Sequence, residues 1–331
     1  MEALSWLLPV AGCIIIFIII VGVSGNLLTL VALARVPRVR SAASAFIASL
    51  CVADLLFCAV NLPFTASRFL HRAWVHGDTL CVVFPFLRYV NVGMSLLSIT
   101  AITVNRYILI SHPRLYPRVY SRVNIVLMIL FTWIFPVVLV FPTLFGKWGR
   151  FGYDPTILNC SILEVNGKSP KVFLFILGFL IPCVAILACY SRIFLVVRRS
   201  RLRVQQHGDR QGMTRQKKEE YRLTKMVLVI FCSFVCCYLP ITIIKVVDKR
   251  AKLPALHLLG YIMIYASACV NPVIYGLTNK LYRNAYRTVL SCGRYREDVT
   301  QSGVAPRTSV SLVTCHSMGT GGDHARVDIK I

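Results

Sequence analysis

Seven stretches of the chain run long with almost no charge: residues 6–34, 43–70, 79–110, 123–145, 171–197, 222–247 and 254–278. A helix needs about 20 mostly apolar residues to cross the hydrocarbon of a bilayer, and each stretch meets that length. The segments between them are too short to fold alone. The pattern therefore predicts one all-α domain, a seven-transmembrane helix bundle. The first stretch lacks a basic leader and a small-residue cleavage site and runs on into Asn26, so it reads as a retained span. Residues 280–291 change period: Leu281, Tyr282, Ala285, Tyr286, Val289 and Leu290 share one face, with Lys280, Arg283 and Arg287 elsewhere. That is the signature of a short amphipathic helix lying in the membrane interface. The seven-span domain with this helix thus covers 1–291, and the polar remainder, 292–331, is expected to be a disordered cytoplasmic tail.

Composition agrees and charge orients the bundle. Of 331 residues 56% are hydrophobic and only 15% charged, which excludes an ordinary soluble protein. The net charge of +24 is gathered after the first, third, fifth and seventh stretches: Arg35, Arg38 and Arg40; Arg114, Arg118 and Arg122; Arg198, Arg199, Arg201 and Arg203; Arg283 and Arg287. By the positive-inside rule those exits are cytoplasmic and the N-terminus is extracellular, as for a multi-pass protein of the plasma membrane. This distribution suits anionic membrane lipids rather than nucleic acid. The tail ahead of the first span is too short to carry a binding domain.

Most of the 13 cysteines fall inside apolar spans and read as soft packing residues. Cys81 and Cys160 differ, since one opens the third span and the other lies in the loop 146–170, both on the oxidising side; a disulfide between them is the natural pairing. Asn159 begins an Asn-Cys-Ser glycosylation sequon, open to two readings because the neighbouring bridge could shield it.

Two motifs end two of the spans. Asn105-Arg106-Tyr107 closes the third, where a guanidinium near hydrocarbon is costly and marks a functional site, although snorkelling to headgroups is an alternative. Asn271-Pro272-Val273-Ile274-Tyr275 closes the seventh, where proline frees a backbone carbonyl and Asn271 adds a polar side chain. Either motif alone is weak, and the pair is specific.

With these residues in place the chain resembles the rhodopsin-like (class A) G-protein-coupled receptors over almost its whole length. The likeness rests on Gly25-Asn26, Leu50 through Ala53-Asp54, Cys81 with Arg106, Trp133, Pro182 with Tyr190, Phe234 through Cys237 to Pro240, and Asn271-Pro272 with Tyr275. Asn105-Arg106-Tyr107 followed by Ile-Leu-Ile-Ser-His-Pro resembles the melatonin-receptor-like branch, and within it the invertebrate Moody and Trapped-in-endoderm type orphan receptors. The resemblance implies no enzyme activity. It implies an extracellular ligand, a heterotrimeric G protein at the cytoplasmic face, and a receptor kinase and arrestin at a tail phosphorylated among Thr300, Ser302, Thr308, Ser309, Ser311, Thr314 and Ser317. Cys292 is a palmitoylation candidate, with an unmodified thiol the alternative.

Spacing on the third span puts Arg88, Asn91, Ser95, Ile99, Ile102 and Arg106 on one face, so Asn91 and Ser95 can approach Asp54, the one acid deep in the spans. With Ser267 and Asn271 these oxygens suit a hard cation. The resemblance implies allosteric sodium on Asp54 and Ser95, no other cofactor being expected; a hydrated polar network is the alternative. It also places Glu220 opposite Arg106, as a charge-assisted lock released when the sixth helix pivots near Pro240, with Tyr190 and Tyr275 then supporting Arg106. Two positions depart from the family pattern. Asn105 replaces the usual acid and leaves the restraint to Glu220, and Tyr238 replaces the usual tryptophan.

Arg88 stands where amine receptors carry an aspartate, so the ligand is expected not to be a biogenic amine but anionic or lipid-like. Arg68, Arg88, Tyr238 and Lys245 form the expected pocket; pairing of Arg88 with Glu164 or Asp248 is the alternative. A multispan secondary transporter is the competing class. It would be expected to show repeated halves with paired broken helices, and no such repeat is visible.

Overall fold

The computed structural model of the chain describes residues 2–154, 159–206, 215–248 and 253–291, and Cys292 with the phosphorylation candidates lies outside them. Seven of its helical stretches are long and apolar enough to cross a membrane: 6–35, 42–71, 77–111, 122–144, 171–199, 219–244 and 254–278. Each lies within a few residues of the stretch read from hydropathy. We call the two ends of the bundle the disulfide end and the Arg106 end.

Helix α1 (Glu2–Arg35) finishes where Arg40 folds back. The Arg40 Nε donates to the Leu33 carbonyl at 3.1 Å and its Nη2 to that of Ala34, so the side chain caps carbonyls the helix leaves unpaired. The second span joins α2 (Ala42–Leu56) to α3 (Leu62–His71) through a π-turn over Phe57–Asn61. Ser41 starts it, its hydroxyl accepting from the Ser44 amide at 3.2 Å. The third span is α4 (Gly77–Ser111), followed by a four-residue helix α5 (Tyr116–Val119) and the fourth span α6 (Arg122–Leu144). The fifth joins α7 (Lys171–Phe175) to α8 (Ile181–Gln206) through a second π-turn, Ile176–Leu180. Pro63 and Pro182 follow the two π-turns closely. Each lacks an amide proton, and the wider turn is how the backbone ahead of it rearranges.

The sixth and seventh spans are α9 (Arg215–Val247) and α10 (Pro254–Thr278). They pack closely because Gly260 has no side chain: a Cβ there would lie 2.9 Å from that of Ile241. The amphipathic segment forms α11 (Lys280–Leu290), started by Asn279, whose Oδ1 accepts from the Leu281 amide at 3.0 Å. Tyr282 and Ala285 are buried, as the period predicts, but Leu290 is 72% exposed at the helix end and leaves the expected face. Outside the spans, burial pushes the Tyr120 hydroxyl up to about 12 and raises Tyr282 and Tyr286 as well, so all three stay protonated at neutral pH.

Besides the short α5, the β-structure has no counterpart in the hydropathy pattern. The loop after α6 is an antiparallel hairpin, β1 (Arg150–Asp154) paired to β2 (Asn159–Leu163), with Tyr153 opposite Cys160. It lies over α4, Phe151 contacting Phe86 and Tyr89 with ring centroids 6.3 and 6.4 Å apart. The main core runs down the bundle from Phe234 and Tyr238 through Ile99, Ile102 and Ile230 to Tyr275 and Tyr282.

Candidate functional site

Helix α4 carries the polar groups in three layers. In the middle one Asp54 is 3% exposed and fully engaged. Its Oδ1 accepts from the Ser95 hydroxyl at 3.1 Å and its Oδ2 from Asn271 Nδ2 at 2.7 Å. Asn91 donates to the neighbouring Ala53 carbonyl at 2.6 Å. One carboxylate thus ties α2, α4 and α10 together, which offsets part of its dehydration cost.

The same geometry tests the ion implied by the resemblance. Asp54 and Ser95 offer a carboxylate and a hydroxyl, the right kind of donor for a hard cation. Ser267 and Asn91 are aimed elsewhere, Ser267 donating to the Ile264 carbonyl at 2.7 Å. Of the five expected ligands, then, Asp54 and Ser95 fit as they stand. Tyr238 also belongs to this depth: it stacks on Phe234 at 4.1 Å and neighbours Ser267.

At the Arg106 end the expected ion pair is not made. Arg106 is 2% exposed, and no ion pair joins it to Glu220 among the described residues, although the two charges lie within electrostatic range. Asn105 holds it instead. The Asn105 Oδ1 accepts from Arg106 Nε at 3.1 Å and from Nη2 at 2.5 Å, a two-pronged neutral acceptor for the guanidinium. Asn105 Nδ2 in turn donates to Tyr116 Oη on α5 at 3.2 Å, and Tyr116 packs against Tyr120 at 4.9 Å. The reason is proximity: an amide on the adjacent residue reaches the fork more readily than a carboxylate across the helix gap. Tyr190 donates to the Thr224 carbonyl at 3.2 Å and not toward Arg106. Tyr275 is fully buried beside Tyr282, its Oη without a hydrogen-bond partner. Tyr107 leans outward on His112, and Pro240 lies inside α9.

At the other end Cys81 and Cys160 are bonded, tying the hairpin to the start of α4. Asn159 is 1% exposed, with neither side-chain polar atom hydrogen-bonded, so the folded chain encloses the sequon rather than presenting it. Arg68 is 6% exposed with its guanidinium 4.2 Å from the Phe69 ring centre. Arg88 sits 5.6 and 5.5 Å from the ring centres of Phe84 and Tyr89 and pairs with neither Glu164 nor Asp248; Asp248 lies 3.4 Å from His257. Of the four expected pocket residues, the structure brings Arg68 and Arg88 together and sets Tyr238 a layer deeper, while the Lys245 side chain lies outside the described residues. Tyr265, beside Arg88, was not read from the sequence. Its four-residue spacing from Tyr261 on an otherwise apolar face was the available signal.

Seven membrane-length helices around one engaged carboxylate, with a disulfide-tied loop at one end and a buried arginine at the other, are the architecture of a seven-helix membrane receptor. The chain belongs to the family described as 7 transmembrane receptor (rhodopsin family), which it matches over residues 25–275. It is 44% identical to the G-protein coupled receptor moody of Drosophila melanogaster, over 95% of this chain and 58% of that protein. It is 38% identical to Protein trapped in endoderm-1 of the same species, over 85% and 76%, and 30% identical to the melatonin receptor type 1A of Phodopus sungorus, over 86% and 81%. The chain spans less than two thirds of the length of the moody proteins it matches. Squid rhodopsin shares the fold, with a TM-score of 0.77 and 24% identity over 88% of this chain and 89% of that one. The family is one of multi-pass membrane receptors, not enzymes.

Proposed function

We propose that this chain is a plasma-membrane receptor with its N-terminus and disulfide end outside, which turns binding of an extracellular ligand into nucleotide exchange on a heterotrimeric G protein at the Arg106 end. The observation that carries the reading is the state of Arg106. It is buried, yet held by a neutral side chain of its own helix rather than by a carboxylate. A guanidinium so held can be released by a modest rearrangement. The Asp54 cluster supports coupling between the ends, because it joins the helix that bears Arg88 and Arg106 to the helix that carries Tyr275.

For the finer partners we propose sodium on Asp54 and Ser95, and a receptor kinase and arrestin at the tail. The ligand is taken to be no biogenic amine, since two arginines, Arg68 and Arg88, lie close together at the disulfide end. GTPγS binding in membranes expressing the full chain tests the reading. Ligand-independent exchange above mock membranes should disappear in Arg106→Ala at matched surface expression. Exchange equal to that of mock membranes, in the wild type and in a variant with Asn105→Ala alike, would refute it.

A further inference from the structure

Helices α3, α4 and α10 converge at the disulfide end on an excess of positive charge and hydrogen-bond donors. The Arg88 Nη1 atom is enclosed and has no hydrogen-bond partner. Arg88 makes no ion pair among the described residues, and its charge lies over the ring faces of Phe84 and Tyr89. Two ring faces return a fraction of the cost of dehydrating a guanidinium. Arg68, itself buried, is close enough to add a second positive charge to the same place.

Asp54, Asp248 and Glu164 form no ion pair with Arg88. Asp54 is engaged a layer deeper, Asp248 lies against His257, and Glu164 is exposed in the loop. Tyr265 completes the arrangement from α10. It is 1% exposed, its Oη stands beside the Arg88 guanidinium, and neither that Oη nor Arg88 Nη1 has a full hydrogen-bond partner. Both are donors in want of an acceptor: even side by side, the Arg88 Nη1 protons and the Tyr265 hydroxyl proton have no oxygen to go to. Proteins rarely leave buried polar atoms so without a third party. The wall behind them is aromatic, with Phe57 and Tyr261 each 6.3 Å from Tyr265 by ring centroid.

We propose that Arg88 and Tyr265 bind the anionic headgroup, carboxylate or phosphate, of a ligand with an apolar body. The headgroup supplies the counter-charge that the chain withholds: one oxygen accepts from Arg88 Nη1 and another from Tyr265 Oη. Arg68 strengthens the field without needing to touch the ligand. An amine or a neutral lipid would leave the guanidinium uncompensated, so charge sets the selectivity. This deepens the receptor reading and rests on it only where signalling is concerned.

The full chain in nanodiscs of zwitterionic lipid, probed with laurate, dodecyl phosphate, dodecanol and dodecyltrimethylammonium, tests it by thermal melting. At least one of the two acids should raise the melting temperature saturably, and dodecanol and dodecyltrimethylammonium should not; which acid acts distinguishes carboxylate from phosphate. Arg88→Met should remove the effect while raising the melting temperature of the ligand-free protein, because an uncompensated buried charge has gone. Arg88→Lys, which keeps the charge and loses the fork, should bind more weakly and serves if the methionine variant does not fold. Tyr265→Phe should weaken binding about tenfold, equivalent to about 1.4 kcal/mol.

Equal stabilisation by dodecanol, no stabilisation by either acid, or wild-type acid binding in Arg88→Met would overturn the site. GTPγS exchange is read in parallel. Acid binding through Arg88 with no change in exchange would leave the site standing and reject the signalling reading. Exchange driven by another compound and undiminished in Arg88→Met would reject the site and leave the receptor.

Discussion

Asn105 shows how one side chain can take over a role usually given to a charge. Its oxygen occupies the guanidinium of Arg106 and its amide reaches Tyr116, so the restraint is a relay from α5 into α4. Hydrogen bonds to charged groups contribute about 1.5–3 kcal/mol. If half of that is lost on activation, the population ratio shifts about four- to twelvefold. Asn105→Ala should therefore raise ligand-independent GTPγS exchange by roughly that factor, and Tyr116→Phe should raise it less. Glu220→Gln should change it least of the three, since Glu220 makes no ion pair with Arg106 in this structure. An effect of Glu220→Gln larger than that of Asn105→Ala would return the brake to the acid. Asn159 makes a second residue-scale prediction. Because its amide is enclosed in β2, endoglycosidase treatment should leave the electrophoretic mobility of the full chain unchanged, and a shift absent from Asn159→Gln would show a glycan.

The join between the first and seventh spans rests on the proline of α10. Pro272 has no amide proton to offer the Ala268 carbonyl one turn back, and Asn26 Nδ2 supplies the missing donor at 2.9 Å. Asn26→Leu would strand that carbonyl, so we expect a loss of about 1–3 kcal/mol, read as a lower melting temperature in nanodiscs. The hairpin makes a different prediction. Cys81–Cys160 closes a loop of 79 residues, a link typically worth about 2–4 kcal/mol, so Cys81→Ser, Cys160→Ser and the double variant should lose the same surface expression. Additive losses would mean two independent thiols. Elements such as the spans were legible because a hydrocarbon solvent imposes length and apolarity on each one. Pro63 and Pro182 lie within these spans, but whether a helix kinks or widens ahead of a proline depends on its neighbours, so the π-turns were not legible. Nor was the hairpin, because its strands are five residues long and β2 is buried almost throughout, which erases the alternation that marks a strand.

Across the whole molecule the polar groups form an axis along α4, from Arg88 through Asn91 and Ser95 to Arg106. Much of that axis was legible, since spacing alone put the residues on one face. Their partners were not: Tyr265 and Tyr116 matter because of the charged or polar group each comes to lie beside, and only the packed bundle decides that. Arg106–Glu220 failed for the same reason, being a distance across a helix gap that no spacing encodes. If Asp54 is the hub of the axis, Asp54→Asn should blunt any sodium dependence of basal exchange while leaving the protein at the surface. Unaltered sodium dependence would place the ion elsewhere.

The contact of Asn26 with Ala268 also bears on how the chain is made. The two residues lie 242 positions apart, and on the same helix Thr29 shares a 2.8 Å hydrogen bond with Tyr286. A ribosome delivers α1 first and α10 and α11 last. The Thr29 hydroxyl and one Asn26 amide proton can turn back on the Gly25 and Gly22 carbonyls of their own helix, but for most of synthesis the second amide proton stands in lipid awaiting a partner still being translated. That wait is a natural checkpoint. Chains stopped before residue 268 should be retained and degraded by the cell's membrane quality control, and replacing Asn26 with leucine should lengthen their lifetime even as it weakens the finished receptor.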